Sequence, residues 1–137
     1  QHWVYTDPDG ADAAARDAAW LRIRTRFAQG VDWSGFEPER IARWYRQLHV
    51  FLYPFYYIEY GIAQLGALQV WRNSLRDPEG AVARYREALA LGATRPLPAL
   101  YEAAGVRLAF DAGTIGELVG LVETEIGRLR AEAPAPA

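Results

Sequence analysis

The sequence predicts an all-α protein, and three observations support that class. Apolar residues recur every three or four positions in several segments, which is the spacing of one helix face. Residues that start and stop helices bracket those segments. Strict alternation of apolar and polar residues, which is typical of strands, is missing, and no repeat of fixed length is visible. We therefore expect about six helices with one central buried helix.

The first predicted helix runs from Ala11 to about Phe27, with Trp20 and Ile23 on its apolar face. Residues 1–9 should form an extended or turn-like lead-in. A second helix is expected from about Ser34 to Leu52. A proline at position 54 then disfavours helical geometry at the residue before it, so the second helix should break there.

The central helix is expected from Tyr56 to about Leu75. Apolar residues lie on every side of this run, and no formal charge occurs between Glu59 and Arg72. A helix that is apolar all round belongs inside a protein. Each of Gly61 and Gly66 costs about 1 kcal/mol in a helix relative to alanine. The two glycines therefore indicate close approach by a neighbouring helix or by a ligand.

Three more helices complete the prediction. Asp77-Pro78-Glu79 starts one that should stop at Gly92, and Leu97–Gly105 contains a short one. Thr114 with Glu117 matches a capping box for the last helix. The residues that we expect this last helix to turn inward are Ile115, Leu118, Val119, Val122, Ile126 and Leu129.

Composition limits the classes of function. The 137 residues suffice for one domain with a core, and we expect residues 1–131 to be a helical portion and residues 132–137 to be a frayed tail. The net charge of −2 argues against nucleic acid or an anionic membrane as a partner. The sequence contains no cysteine, which excludes disulfides and thiolate zinc sites and favours a cytoplasmic location. We find no signal peptide and no transmembrane segment.

The densest group of chemically active side chains is His49, Tyr53, Tyr56, Tyr57 and Tyr60. If residues 56–60 are helical, the three later tyrosines fall within a sector of about 100°. The residues alone leave two interpretations open. The rings are either core aromatics with satisfied hydroxyls or a cluster that binds a ligand.

A family resemblance rests on two neighbouring strings, from Arg46 to Phe51 and from Pro54 to Gln64. They strongly resemble the oligoendopeptidase F group of zinc metallopeptidases, which are relatives of thimet oligopeptidase. Residues 1–5, 32–35 and 97–105 resemble the same family, so the likeness covers nearly the entire chain. The resemblance implies a zinc metalloendopeptidase that cleaves oligopeptides, and a place within a larger helical, zincin-like domain.

One departure from the family is plain. Family members bind zinc through H-E-x-x-H and a further glutamate, whereas this sequence has only His2 and His49 and no such motif. The sequence also has no methionine. We therefore expect a carboxy-terminal part of such an enzyme, with no metal in this chain and zinc in the intact parent. Its partner would be the missing amino-terminal part of the same polypeptide.

The resemblance also implies roles for the remaining residues. In the family, this region is a wall of the cleft, where a histidine and tyrosines hold the peptide and stabilise the oxyanion. His49, Tyr57 and Tyr60 are expected to be catalytic, and Tyr53 and Tyr56 are expected to bind substrate with them. The isolated chain should be inactive and could self-associate through exposed apolar surface. The alternative is a stand-alone helical module that binds a peptide or protein without catalysis.

Overall fold

The structure is a computed structural model that describes residues 1–28 and 30–133. The described residues form eight α-helices, two short 3-10 helices and no strand, which confirms the all-α class. The chain divides into two compact units, Gln1–Ile58 and Glu59–Ala137. The predicted tail at 132–137 lies largely outside the described residues, since residues 134–137 are not among them.

The first unit contains four of the helices. Its first α-helix shows that the lead-in predicted for residues 1–9 is wrong over residues 2–6, since a helix this short has too little periodicity to be seen in the sequence. The turn-like geometry is present at residues 7–10, where the Gly10 N–H donates to the Asp7 carbonyl (2.9 Å). Asp7 then accepts a hydrogen bond from the Asp9 backbone N–H (3.0 Å) and caps a 3-10 helix at Pro8–Ala11. The α-helices of this unit are α1 (His2–Thr6), α2 (Ala13–Phe27), α3 (Glu37–Ala42) and α4 (Leu48–Leu52).

The single helix predicted from Ser34 to Leu52 is wrong. Its middle is a 3-10 helix, Arg43–Arg46, which separates α3 from α4. Tertiary hydrogen bonds accompany this tighter winding: Trp44 Nε1 donates to Asp17 Oδ1 (2.8 Å), and the Tyr45 hydroxyl donates to the same oxygen (3.0 Å). The bond to Asp17 raises the pKa of Tyr45. The split, together with α1, raises the count from the predicted six or so to eight.

The second unit contains the other four helices, of which α5 begins with Ile58 at the boundary. Two predicted helix ends are confirmed here. Asp77 caps its helix by accepting from the Gly80 N–H (2.9 Å), and Gly92 ends the same helix with a φ of 53°. The helices are α5 (Ile58–Ser74), α6 (Pro78–Leu91), α7 (Leu97–Ala103) and α8 (Ala112–Glu132).

The prediction that the central helix is buried is wrong. Only Gly66 and Gln69 are buried in α5, whereas Ile58 and Tyr60 are 60% and 56% exposed. The described residues that pack against α5 cover only part of its circumference. A helix with an apolar sequence favours burial, but it is buried only where other parts of the chain pack against it.

The predicted close approach is confirmed at Gly66 and is not found at Gly61. The Tyr101 hydroxyl of α7 donates to the Ile62 carbonyl (2.7 Å). A Cβ added at Gly66 would lie 2.8 Å from that hydroxyl oxygen, while a Cβ at Gly61 would meet no described atom within 4 Å. Burial raises the pKa of the Tyr101 phenol, and the negative charge of Glu59 raises it further.

A buried amide joins α5 to the irregular segment after α7. Gln69 is 2% exposed. Its Nε2 donates to the carbonyls of Leu65 (3.2 Å) and Arg107 (2.9 Å), and its Oε1 accepts from the Arg107 N–H (3.1 Å). This side chain therefore fixes the chain that leads from α7 into α8.

The capping box predicted at Thr114 is wrong, because Asp111 caps α8. Asp111 accepts from the backbone N–H and from the hydroxyl of Thr114, each at 2.8 Å. These bonds, led by the one from the backbone, lower the pKa of Asp111. The inward stripe is also only partly confirmed. Leu118 is 1% exposed, but four of the predicted residues are exposed: Ile115, Val119, Ile126 and Leu129.

We expect Gly66→Ala to lower the free energy of unfolding by about 1–3 kcal/mol, because its Cβ would overpack against the Tyr101 ring. Gly61→Ala is the matched control on the same helix, and it should raise stability by up to about 1 kcal/mol. Urea unfolding followed by circular dichroism compares the two variants. Equal effects would show that Tyr101 does not pack on α5 as described.

Candidate functional site

The candidate site lies where the backbone leaves helical geometry between α4 and α5. The break predicted at Pro54 is confirmed, because α4 ends at Leu52 and α5 begins at Ile58. Phe55 has a φ of 62°, a value that non-glycine residues rarely adopt. Tyr56 and Tyr57 therefore precede the helix, and their predicted place in its first turns is wrong.

The side-chain amide of Gln1 holds this break in place. Its Nε2 donates to the carbonyls of His49 (3.0 Å) and Val50 (3.2 Å), and its Oε1 accepts from the Phe55 N–H (2.8 Å). One side chain thus bonds backbone groups on both sides of the turn. The ring of Tyr5 also packs on Phe55, with their centroids 5.6 Å apart.

Four aromatic side chains gather at this break, and we call them the His49 ring cluster: His49, Tyr53, Tyr56 and Tyr57. The imidazole stacks on Tyr56, with centroids 6.0 Å apart and an interplanar angle of 7°. Tyr57 and Tyr53 lie tilted against it at 5.2 Å and 6.1 Å. Tyr53 and Tyr56 contact each other at 6.2 Å. The structure therefore brings together four of the five candidate residues, whereas the predicted sector of Tyr56, Tyr57 and Tyr60 on one helix is not formed.

The ring cluster is open to solvent. Tyr53, Tyr56 and Tyr57 are 58%, 53% and 50% exposed, and His49 is half-buried. This exposure argues against the interpretation that these tyrosines are core aromatics. Phenols that touch an imidazole on an open surface can donate hydrogen bonds to a bound ligand.

Tyr60, the remaining predicted site residue, belongs to the second unit. It lies in the first turn of α5, beside Glu59. The ring of Tyr60 is 56% exposed. The cluster described within the first unit therefore comprises four of the five predicted residues.

The described residues offer no metal site and no membrane span. Among residues 1–28 and 30–133, no group of three or more histidine, cysteine, aspartate or glutamate residues could hold a metal ion. Within the same ranges, none of the helices is both long and apolar enough to cross a membrane.

Sequence reasoning missed the two polar residues that position the site. Gln1 is 48 residues from the His49 carbonyl that it binds, and no local pattern signals such a bond. Asp17 likewise gave no signal, although it anchors Trp44, whose ring stacks on Phe51 of α4 at 5.6 Å. Both contacts are long in sequence and depend on the folded arrangement of the first unit.

Comparisons with known proteins add no relative: no family model, curated protein or solved structure matches the chain.

We expect Gln1→Ala to loosen the backbone of the ring cluster, because three hydrogen bonds are lost together. The Phe55 amide should exchange its hydrogen at least about tenfold faster, which corresponds to about 1.4 kcal/mol. Gln64→Ala, on the exposed part of α5, is the control and should leave that rate unchanged. Unaltered exchange in the Gln1 variant would contradict the described role of this amide.

Proposed function

We propose that the chain supplies the substrate-binding and oxyanion-stabilising side chains of a zinc metalloendopeptidase that cleaves oligopeptides. The observation that supports this proposal most is the open cluster of His49, Tyr53, Tyr56 and Tyr57. The strings that resemble the oligoendopeptidase F group, 46–51 and 54–64, meet at this cluster. The segments that resemble the family therefore carry hydrogen-bond donors that lie close together and are accessible to solvent.

The proposed chemistry uses these side chains as hydrogen-bond donors. When a nucleophile attacks a peptide carbonyl, negative charge develops on the carbonyl oxygen. A fixed phenol or imidazole donor placed at that oxygen stabilises the transition state by about 3 kcal/mol. His49 and Tyr57, whose rings are 5.2 Å apart, are the proposed donors of the first unit. Tyr60 is proposed as a further donor, and Tyr53 and Tyr56 as contacts for the peptide backbone.

The metal is not assigned to this chain. The described residues lack a ligand set for zinc, so the proposal places the metal on the H-E-x-x-H segment of the parent polypeptide. The zinc there would activate the attacking water. The residues of this chain would orient the peptide and stabilise charge. A cytoplasmic location is part of the proposal, as a chain without cysteine suits a reducing compartment.

The alternative is a helical module that binds a peptide or protein without catalysis. A cavity of about 550 Å³ in the second unit favours it, since this volume lies in the usual range for ligand sites. Small and aromatic residues from α5, α6 and α7 form its walls. They include Ala63, Gly66, Trp71, Tyr85 and Tyr101.

Kinetics of the complete enzyme separate these two functions. We expect His49→Ala and Tyr57→Phe to lower kcat about 100-fold, with a smaller effect on KM, since the lost bonds are strongest in the transition state. Tyr85→Phe, at the cavity of the second unit, is the matched control and should leave kcat unchanged. Wild-type kcat in the His49 variant and in Phe variants of Tyr53, Tyr56, Tyr57 and Tyr60 would exclude the catalytic role.

A further inference from the structure

The 3-10 helix Arg43–Arg46 places two arginines on one side of the first unit. A 3-10 helix has three residues per turn, so the side chains of Arg43 and Arg46 leave it in the same direction, about 6 Å apart along its axis. Trp44 and Tyr45 leave it about 120° to either side, and both donate hydrogen bonds to Asp17. The tighter winding therefore brings the two arginines into line, whereas an α-helix would have rotated one from the other by about 60°.

Neither of these two arginines has an acidic partner. Every ion pair among residues 1–28 and 30–133 lies in the second unit. Three carboxylates of the first unit, those of Asp17, Asp32 and Glu37, instead accept hydrogen bonds from uncharged groups. Within the described part of this unit, the positive charges of Arg43 and Arg46 are therefore not balanced by an ion pair.

The ring of Trp33 positions one of the two guanidinium groups. The Cζ atom of Arg43 lies over this ring, 5.5 Å from its centroid. A guanidinium group that stacks on a ring uses its face, so the N–H groups at its edge stay free to donate hydrogen bonds. Those N–H groups form a planar fork that matches the two oxygens of a carboxylate.

The two arginines line a cavity of about 490 Å³, and its charge favours a carboxylate over a phosphate. Two positive charges and the negative charge of Glu39 face this cavity, which gives a net charge of about +1. A carboxylate carries one negative charge and balances that excess. A phosphate dianion exceeds it and is repelled more strongly by Glu39. The cavity is lined by Trp33, Glu39, Ala42, Arg43, Tyr45 and Arg46.

We propose that Arg43 and Arg46 form a subsite for a carboxylate of the peptide ligand. This subsite rests on the function proposed above, because that function makes an oligopeptide the ligand. Arg43 donates hydrogen bonds to the carboxylate from the edge of its guanidinium group, and Arg46 supplies a second positive charge. The carboxylate has two sources in a peptide, namely its carboxy terminus and its acidic side chains.

Three acetylated pentapeptides, each titrated into the isotope-labelled 137-residue chain, test this subsite by nuclear magnetic resonance. They are pentaalanine with a free carboxy terminus, its carboxamide, and the same carboxamide with a central glutamate. We expect the free acid to bind at least about tenfold tighter than the carboxamide and to shift the Nε–Hε signals of Arg43 and Arg46. Equally tight binding of the glutamate carboxamide would show that acidic side chains also occupy the subsite. Binding as weak as that of the plain carboxamide would assign the subsite to the carboxy terminus.

Substitutions of charged residues give a second readout. Arg43→Gln and Arg46→Gln together should abolish the preference for the free acid. Arg22→Gln with Arg26→Gln is the charge-matched control, since both are exposed on α2 outside the cavity, and it should preserve that preference. Glu39→Gln should tighten binding of the free acid roughly two- to fivefold, because a like charge is removed. Misfolding of a variant does not produce such a gain.

Equal affinities for the free acid and the plain carboxamide, or binding of none of the three peptides, would overturn the proposal. A preference that survives in the double variant at positions 43 and 46 would overturn it too, as would tighter binding of inorganic phosphate than of the free acid. The proposed function is decided separately by kcat of the His49 variant and the tyrosine variants in the complete enzyme. Wild-type kcat there, with the acid preference present here, would exclude the catalytic role and leave the carboxylate subsite standing.

Discussion

Backbone groups that leave a helix need hydrogen-bond partners, and both compact units meet this need with the amide of one glutamine. In the first unit, Gln1 bonds two carbonyls and one N–H on either side of the turn at Pro54. In the second unit, Gln69 does the same for Leu65 and Arg107. A primary amide suits this task because it has both donors and an acceptor. The hydrogen bonds of each glutamine amide fix an irregular segment of its own unit, and they thereby position the side chains of that segment.

The His49 ring cluster depends on the hydrogen bonds made by the Gln1 amide. Pro54 and the positive φ of Phe55 turn the chain sharply, so the side chains of positions 53, 56 and 57 return to the ring of His49. A continuous helix would also have placed these positions on one face, because they follow His49 at i+4, i+7 and i+8, but it would have spread them over about 12 Å along its axis. A backbone held by three hydrogen bonds and carrying exposed rings favours ligand binding, because less ordering is left to be done on binding.

The sequence allowed prediction of those features that depend on neighbouring residues. The cap at Asp77, the stop at Gly92 and the break at Pro54 each follow from local backbone chemistry. Gly66 indicated close approach because glycine is costly within a helix, although only the structure identified Tyr101 as the neighbour.

Features that depend on distant residues were not predictable in this way. The cap of α8 was predicted at Thr114, and the folded geometry places it at Asp111 instead. The exposure of α5 was not predicted, because the apolar pattern of a helix indicates which of its faces favour burial. The pattern does not indicate whether other helices pack against those faces. The candidate site was predicted from residue type and family resemblance, whereas Gln1 and Asp17, which hold its backbone and its neighbouring ring in place, were not predicted.

The surface formed by His49, Tyr53, Tyr56 and Tyr57 is proposed to bind peptide, and nuclear magnetic resonance of the labelled 137-residue chain, titrated with an unlabelled pentapeptide, can detect such binding. We expect saturable shifts concentrated at residues 49–57, with Tyr85 and Tyr101 of the second unit as unshifted internal references. Shifts confined to the cavity around Tyr85, or no shift at the ring cluster at saturating peptide, would exclude peptide binding at this surface.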